Sequence, residues 1–148
     1  MLTIYSDDHH LHHGAAELID GTFKPCFEMP SRADMVLARA RAVGLGDVIS
    51  PVDFGLAPIR RVHSAGFVNF LQNAWSDWQA LGRSHDMLPM TWPIRRLRDI
   101  EPGDIDGKLG FYSFDAGAPI TAGTWQAITS SANVALTGQA ELGKGARG

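Results

Sequence analysis

Four histidines crowd into five positions at His9, His10, His12 and His13. Imidazole is the commonest metal-binding side chain, so metal binding is the first chemistry they invite. Specific zinc sites draw ligands from separate elements held by supporting hydrogen bonds, and a histidine run within one loop has no such frame. It reads instead as a polar loop with adventitious affinity for nickel or zinc. Cys26 and His63 have the residue types of a thiolate–imidazole pair. No oxyanion-donor motif or third partner accompanies them, and a buried structural cysteine is the simpler reading. Gly143-Lys144-Gly145-Ala146-Arg147-Gly148 has the letters G-x-G-x-x-G. The dinucleotide fingerprint needs a strand before it and a helix after it, whereas here a helix precedes, so the match is rejected. Arg60-Arg61 and Arg95-Arg96-x-Arg98 read as solvated faces or carboxylate partners. Glu17 lies in one long connecting segment, and Asp104, Asp106 and Asp115 flank a second. Carboxylates from two loops could converge on a cationic ligand, although composition alone makes them surface charges.

The elements that must position these groups follow from periodicity. Leu2 to Tyr5 is a β-branched and aromatic run closed by Ser6-Asp7-Asp8, which predicts a strand. Residues 6–30, with Pro25 and Pro30, show no helical period and read as a long loop. Ser31 has the position of an N-cap with Asp34 at the capping-box site, ahead of a helix through Met35, Val36, Leu37, Ala40 and Val43 that Gly44 and Gly46 stop. Asp47 to Ser50 is a second short strand, so strand, helix and strand suggest a βαβ unit with parallel strands. Phe67, Phe70, Leu71, Ala74, Trp75, Trp78 and Leu81 recur at helical spacing and predict a helix over Ser64 to Leu81. Residues 82–111 read as irregular, and a last helix is predicted from near Thr121 through Leu136. Two short strands do not make a parallel sheet coverable by three helices, so further strands are expected beyond residue 148.

Composition narrows the function classes. The chain has 148 residues, of which 45% are hydrophobic and 20% charged, an ordinary globular balance large enough for one core. The formal net charge of −3 offers no basic excess for nucleic acid. No apolar run has the roughly 20 residues of a membrane helix, and the N-terminus lacks the pattern of a secretory signal. One cysteine excludes an internal disulfide and fits a reducing cytoplasm.

The order of several segments carries a resemblance. Ile4-Tyr5-Ser6-Asp7-Asp8-His9 with Ala16-Glu17-Leu18, then Phe27-Glu28-Met29-Pro30-Ser31-Arg32, resembles the N-terminus of the acetylpolyamine amidohydrolases, bacterial members of the histone deacetylase superfamily. Val62-His63-Ser64-Ala65-Gly66-Phe67-Val68-Asn69-Phe70-Leu71 is similar to that superfamily's V-H-x-x-x-Y/F-x-x-F-L helix. Trp92-Pro93-Ile94-Arg95-Arg96, Asp104-Ile105-Asp106-Gly107 and Ala122-Gly123-Thr124-Trp125 are similar to the polyamine branch in particular. The likeness is collinear over residues 1 to about 142.

The resemblance implies the N-terminal portion of an arginase-like three-layer α/β/α fold with a parallel sheet, incomplete in this chain. It also implies zinc-dependent hydrolysis of acetylated polyamines or related acetyl-amines, in which metal-bound water attacks the amide. The family's R-P-P-G-H-H segment and D-x-D-x-H metal ligands are expected to follow the last residue of this chain, so no catalytic or metal residue is assigned here. By residue-for-residue likeness Glu17 and Asp106 would meet a distal ammonium of the substrate, Phe27 would stand near the channel wall, and Arg32 would border an internal channel. The second loop, about 82–111, would form a homodimer contact, and a cytoplasmic location is implied. Ile19 stands where relatives carry a tyrosine, and Gly117 where some carry another acid. The chain alone is expected to be inactive. Two other readings compete: a non-catalytic dimerisation module using the second loop and the Trp75/Trp78 helix, and a histidine-rich metal binder.

Overall fold

A computed structural model describes residues 1–94 and 99–146. The Arg95-Arg96-x-Arg98 run, the end of the Trp92–Arg96 motif, and Arg147 and Gly148 of the glycine-rich tail lie outside the described residues. The elements are β1 (Thr3–Ile4), a 3-10 turn (Asp7–Leu11), β2 (Glu17–Ile19), β3 (Thr22–Lys24), α1 (Ser31–Ala42), β4 (Val48–Ile49), α2 (Ala57–Val62), α3 (Ala65–Ala80), α4 (Ile105–Tyr112) and α5 (Thr124–Gly143). They fall into two compact units: Met1–His13, Glu28–Val62 and Gly123–Gly148 in the first, Gly14–Phe27 and His63–Ala122 in the second.

The first unit contains the predicted βαβ arrangement. β1 pairs with β4 in parallel, Thr3 opposite Val48 and Ile4 opposite Ile49, and the Tyr5 amide donates to the Ile49 carbonyl at 3.0 Å. Parallel strands need a crossover, and α1 supplies it. Its cap differs from the sequence reading. Pro30 is the N-cap, whose hydrocarbon ring makes no side-chain bond, and Asp34 bonds instead to Tyr5 and His10 and faces His9. The helix closes with the Leu45 amide on the Ala40 carbonyl at 3.1 Å, using Gly44 at φ 62° for the left-handed turn. Leu37 and Ala40 are buried, whereas Met35 and Val36 of the same helix and Val43 at its C-cap are exposed.

α5 is the other long wall of this unit. Gly123, just before it, packs so closely on Leu11 that a Cβ would overlap the Leu11 carbonyl oxygen. Small polar side chains then stitch the helix down: Ser130 to Ser6 at 2.9 Å, Thr124 to His12 at 2.7 Å, and Thr137 accepting from the Val52 amide at 2.9 Å. Buried hydroxyls need such partners, and these join α5 to the 3-10 turn and to the segment after β4.

The second unit is built on α3 and α4. Ser64 caps α3, its hydroxyl accepting from the Phe67 amide at 3.2 Å. Phe70, Ala74 and Trp78 of α3 form one buried cluster with Met87, Ile105, Leu109 and Ile120. α4 interrupts the stretch read as irregular. Asp104 starts it by accepting from the Gly107 amide at 2.8 Å, and burial of Ile105 and Leu109 fixes its orientation. Gly110 lets the helix meet the 87–91 segment, since a Cβ there would overlap the Thr91 carbonyl. The stretch 6–30 is likewise not loop throughout. β2 and β3 form an antiparallel hairpin, Leu18 opposite Phe23, turned by Asp20 and Gly21 at φ 50° and 73°. Positive φ at both turn residues is the two-residue hairpin geometry that Asp-Gly favours.

Candidate functional site

In the second unit, the expected substrate-binding residues fall into two groups, Glu17 with Phe27 and Asp106 at a cleft beside Trp78. Glu17 opens β2. Its Oε1 accepts from the Phe27 amide at 2.9 Å, so two of the expected substrate-binding residues are joined, with the Phe27 ring exposed. Glu17 Oε2 lies 3.7 Å and Asp115 Oδ1 3.4 Å from where a Cβ on Gly117 would stand. Two carboxylates from separate segments therefore approach Gly117. Asp115 is held there by the Gly117 amide, which donates to it at 2.8 Å.

Asp106 sits in the first turn of α4 and is already paired. Both its oxygens accept from the Arg83 fork, at 2.6 and 2.9 Å, and the guanidinium lies 4.1 Å from the centroid of the Trp78 ring. Arg83 holds the Asp106 carboxyl below the ordinary carboxylate range. Asp106, Trp78, Ala16, Phe23, Leu88 and Met90 border a cleft of about 700 Å³. Trp78 is fixed by its indole N–H, which donates to the His85 carbonyl at 2.8 Å. The Ala15 amide donates to Asp86 at 2.7 Å, tying the start of the hairpin segment to the far side of the cleft. The arrangement is an apolar slot with a compensated carboxylate at its edge. It can hold an alkyl chain and present a negative charge to a cation that displaces or shares Arg83.

Cys26 and His63 do not form a nucleophile. The cysteine is buried, and burial, followed by the Glu17 and Asp86 charges, pushes its thiol up, opposite to the activation a thiolate needs. His63 packs against Phe67, with the rings tilted and their centroids 5.4 Å apart. Among the described residues nothing resembles a D-x-D-x-H set either. Asp104-Ile105-Asp106-Gly107-Lys108 carries lysine where the histidine must stand, and its two acids serve as a helix cap and an arginine partner. The zinc ligands implied by the resemblance do not fit these residues.

In the first unit, Arg32 lies in the first turn of α1 and pairs with Glu28. With Tyr5, Met29, Pro30 and Val36 it borders a groove of about 580 Å³. The histidine run is better framed than the sequence suggested. Asp7–Leu11 is a 3-10 turn capped by Ser6, which sets His9 and His10 side by side with ring centroids 3.9 Å apart. His9 Nδ1 faces the Ser6 carbonyl at 2.8 Å, and His10 Nδ1 the Asp7 carbonyl at 3.0 Å. Both Nε2 atoms then turn to Asp34, at 3.3 Å from Oδ1 and 3.0 Å from Oδ2. Tyr5 donates to the same carboxylate at 3.1 Å. Asp34 is held low chiefly by His10, and His10 is raised chiefly by Asp34. Partial burial and the bond to Asp34 push the Tyr5 hydroxyl up to about 12.

Comparison with known proteins agrees with the resemblance. The chain is 78% identical over 147 residues to acetylpolyamine amidohydrolase 2 of Pseudomonas aeruginosa, covering 99% of this chain and 43% of that protein. It is 58% identical over 149 residues to acetylpolyamine amidohydrolase 1 of the same organism, again covering 99% and 43%. Among solved structures, the crystal structure of acetylpolyamine aminohydrolase from Burkholderia pseudomallei matches with a TM-score of 0.87 at 29% identity, over 99% of this chain and 42% of that one. No family model matches. The chain spans about two fifths of the length of the relatives it matches. Its mixed helix and parallel-strand architecture is a partial α/β fold of that kind. No helix among the described residues is long and apolar enough to cross a membrane.

Proposed function

We propose that this chain is the N-terminal part of a zinc-dependent amidohydrolase that removes acetyl groups from acetylated polyamines or related acetyl-amines. The observation that carries the reading is the near-complete coverage of the chain by closely similar acetylpolyamine amidohydrolases. Two physical features support it. A parallel sheet of two short strands is below the size that buries both faces. The exposed apolar residues Met35, Val36 and Val43 give α1 a face suited to further packing.

In this reading the chain contributes the substrate rim. Glu17 and Asp106 take a distal ammonium of the polyamine, Phe27 flanks the channel, and Arg32 borders the internal passage. The zinc, when bound in the complete enzyme, polarises the acetyl oxygen and supplies activated water. Its ligands come from outside this chain, and no step of the hydrolysis is assigned to residues 1–148.

The test is a comparison of substrates in the full-length enzyme. Glu17→Gln and Asp106→Asn should lower kcat/KM for acetylated polyamines by roughly tenfold, the effect of about 1.4 kcal/mol, and leave a neutral acetyl-amide nearly unchanged. Equal losses on both substrates would remove the ammonium-binding role. Deacetylation by the 148-residue chain with added zinc would overturn the assignment of the metal site elsewhere.

A second reading, a homodimer contact through the 82–111 segment, is favoured by Met90, Trp92 and Ile94, which are exposed large apolar side chains close in sequence. Sedimentation of the full-length protein and of a Met90→Lys, Ile94→Lys variant checks it. Dimers in both would exclude these residues from the contact.

A further inference from the structure

From His9, His10 and Asp34 we infer a binding site for a divalent transition-metal ion of the zinc and nickel class on the first unit. Both imidazoles have Nδ1 against a main-chain carbonyl, Ser6 for His9 and Asp7 for His10. A carbonyl only accepts, so Nδ1 keeps its proton in the neutral form of each ring. Nε2 is then the nitrogen whose lone pair a metal takes, at His10 after displacing the proton shared with Asp34. Metal-binding histidines are oriented and held in one tautomer by the same kind of outer hydrogen bond. The two Nε2 atoms and an Asp34 oxygen lie within 4.8 Å of one another.

The separations suit a shared ion. Ligand atoms about 2.1 Å from a metal, at angles from the octahedral to the tetrahedral, stand about 3.0–3.4 Å apart. His9 Nε2 is 3.3 Å from Asp34 Oδ1, and His10 Nε2 is 3.0 Å from Oδ2. Two imidazoles and one carboxylate leave open positions for water, a donor set used by divalent transition metals. The Tyr5 hydroxyl, donating to Asp34 at 3.1 Å, orients the carboxylate from outside.

An ion pair between His10 and Asp34 accounts for His10 but not for its neighbour. His9 Nε2 is buried and makes no hydrogen bond. A buried nitrogen lone pair without a donor is costly, and a metal ion between the rings and the carboxylate satisfies it. Access is available, because His9 borders the same groove as Arg32 and a smaller cavity of about 220 Å³ behind it.

Zinc alone, titrated calorimetrically into the chain, tests the site. One saturable ion per chain is expected, weakened at least tenfold in His9→Gln, His10→Gln and Asp34→Asn, and within twofold of the parent in His13→Ala. Co2+ in place of zinc should give a visible d–d band that is lost in His10→Gln. Circular dichroism of each variant separates lost binding from lost fold. If Asp34→Asn unfolds, exposed His10 decides alone. No saturable binding, unchanged affinity in a folded His10→Gln, or an equal loss in His13→Ala would overturn the site, the last by showing that the histidine run chelates without it.

Discussion

Arg83 is clamped twice, and the two clamps can be measured apart. Its fork meets Asp106 at 2.6 and 2.9 Å, and its Cζ lies 4.1 Å from the Trp78 ring centroid. The paired side chains are 31% and 54% exposed, so solvent screens the ion pair to about 0.5–1 kcal/mol. A cation over an aromatic face near the surface contributes about 0.5–1 kcal/mol more. Arg83→Gln loses both and should cost about 1–2 kcal/mol, while Asp106→Asn loses only the pair. In the double variant the coupling should be about 0.5–1 kcal/mol, and the residual cost of Arg83→Gln in the Asp106→Asn background is the stacking on Trp78. Urea unfolding followed by tryptophan fluorescence gives each value. In 1 M salt, where the screening length falls to about 3 Å, the coupling should shrink and the stacking remainder should persist.

Acid offers a second check on the same pair. Asp106 titrates lower folded than unfolded because of Arg83, so its stabilisation is present above the unfolded carboxylate value of about 4 and is lost as pH falls through the lower folded value. The gap between the parent and Asp106→Asn should close in that window. A coupling below about 0.2 kcal/mol at low salt, or no cost of Arg83→Gln once Asp106 is gone, would refute the two-clamp account. The result bears on the proposed function, in which a substrate ammonium would compete with Arg83 for Asp106.

Both tyrosines, Tyr5 and Tyr112, are pushed up to about 12 by partial burial and by donating to Asp34 and Glu101. Tyrosinate absorbance should therefore show neither titrating near 10 in the folded chain and both near 10 in urea. The stability these protonated hydroxyls contribute is complete below pH 10 and lost between about 10 and 12, and a native group ionising near 10 would contradict it. Gly110→Ala should destabilise by about 1–3 kcal/mol or more, because its methyl meets the Thr91 backbone rather than a movable side chain, and an unchanged thermal midpoint would exclude that close approach. Ser64→Ala should cost about 1 kcal/mol through the lost cap on Phe67, with Ser64→Thr restoring most of it, as read by urea unfolding.

The sequence revealed most where local and tertiary preferences agree. α3 was legible because one face repeats aromatics at helical spacing, and the same face is the buried one. The parallel pairing of β1 and β4 followed from strand, helix and strand in succession. The hairpin was missed although Asp20-Gly21 between β-forming residues is its signal; a histidine-rich approach and two prolines obscured it. α4 was missed because Gly107 and Gly110 lower helix propensity, and only the Asp104 cap and the buried Ile105 and Leu109 make it form. α2 left one faint sign, Pro58 in its first turn. At the candidate sites, likeness singles out Glu17 and Asp106 but not the partners the structure gives them: Arg83 on Asp106, and the Phe27 amide on Glu17. Asp34 was read as a local cap because Tyr5, His9 and His10 lie 24 or more residues away, a distance no local pattern spans.

The chain leaves the first unit after His13, returns at Glu28, leaves again after Val62 and comes back at Gly123. His12 thus finds Thr124 across 112 residues, and Ser6 finds Ser130 across 124. On a ribosome adding about 5–20 residues per second, the 3-10 turn waits on the order of ten seconds for the helix that covers it. During that interval β1 and β4 can already pair, with the edges of their ladder open. The interval is one in which a chaperone has something to hold, and substitutions that strengthen α1 and its strands early should raise the soluble yield more than their effect on final stability would suggest.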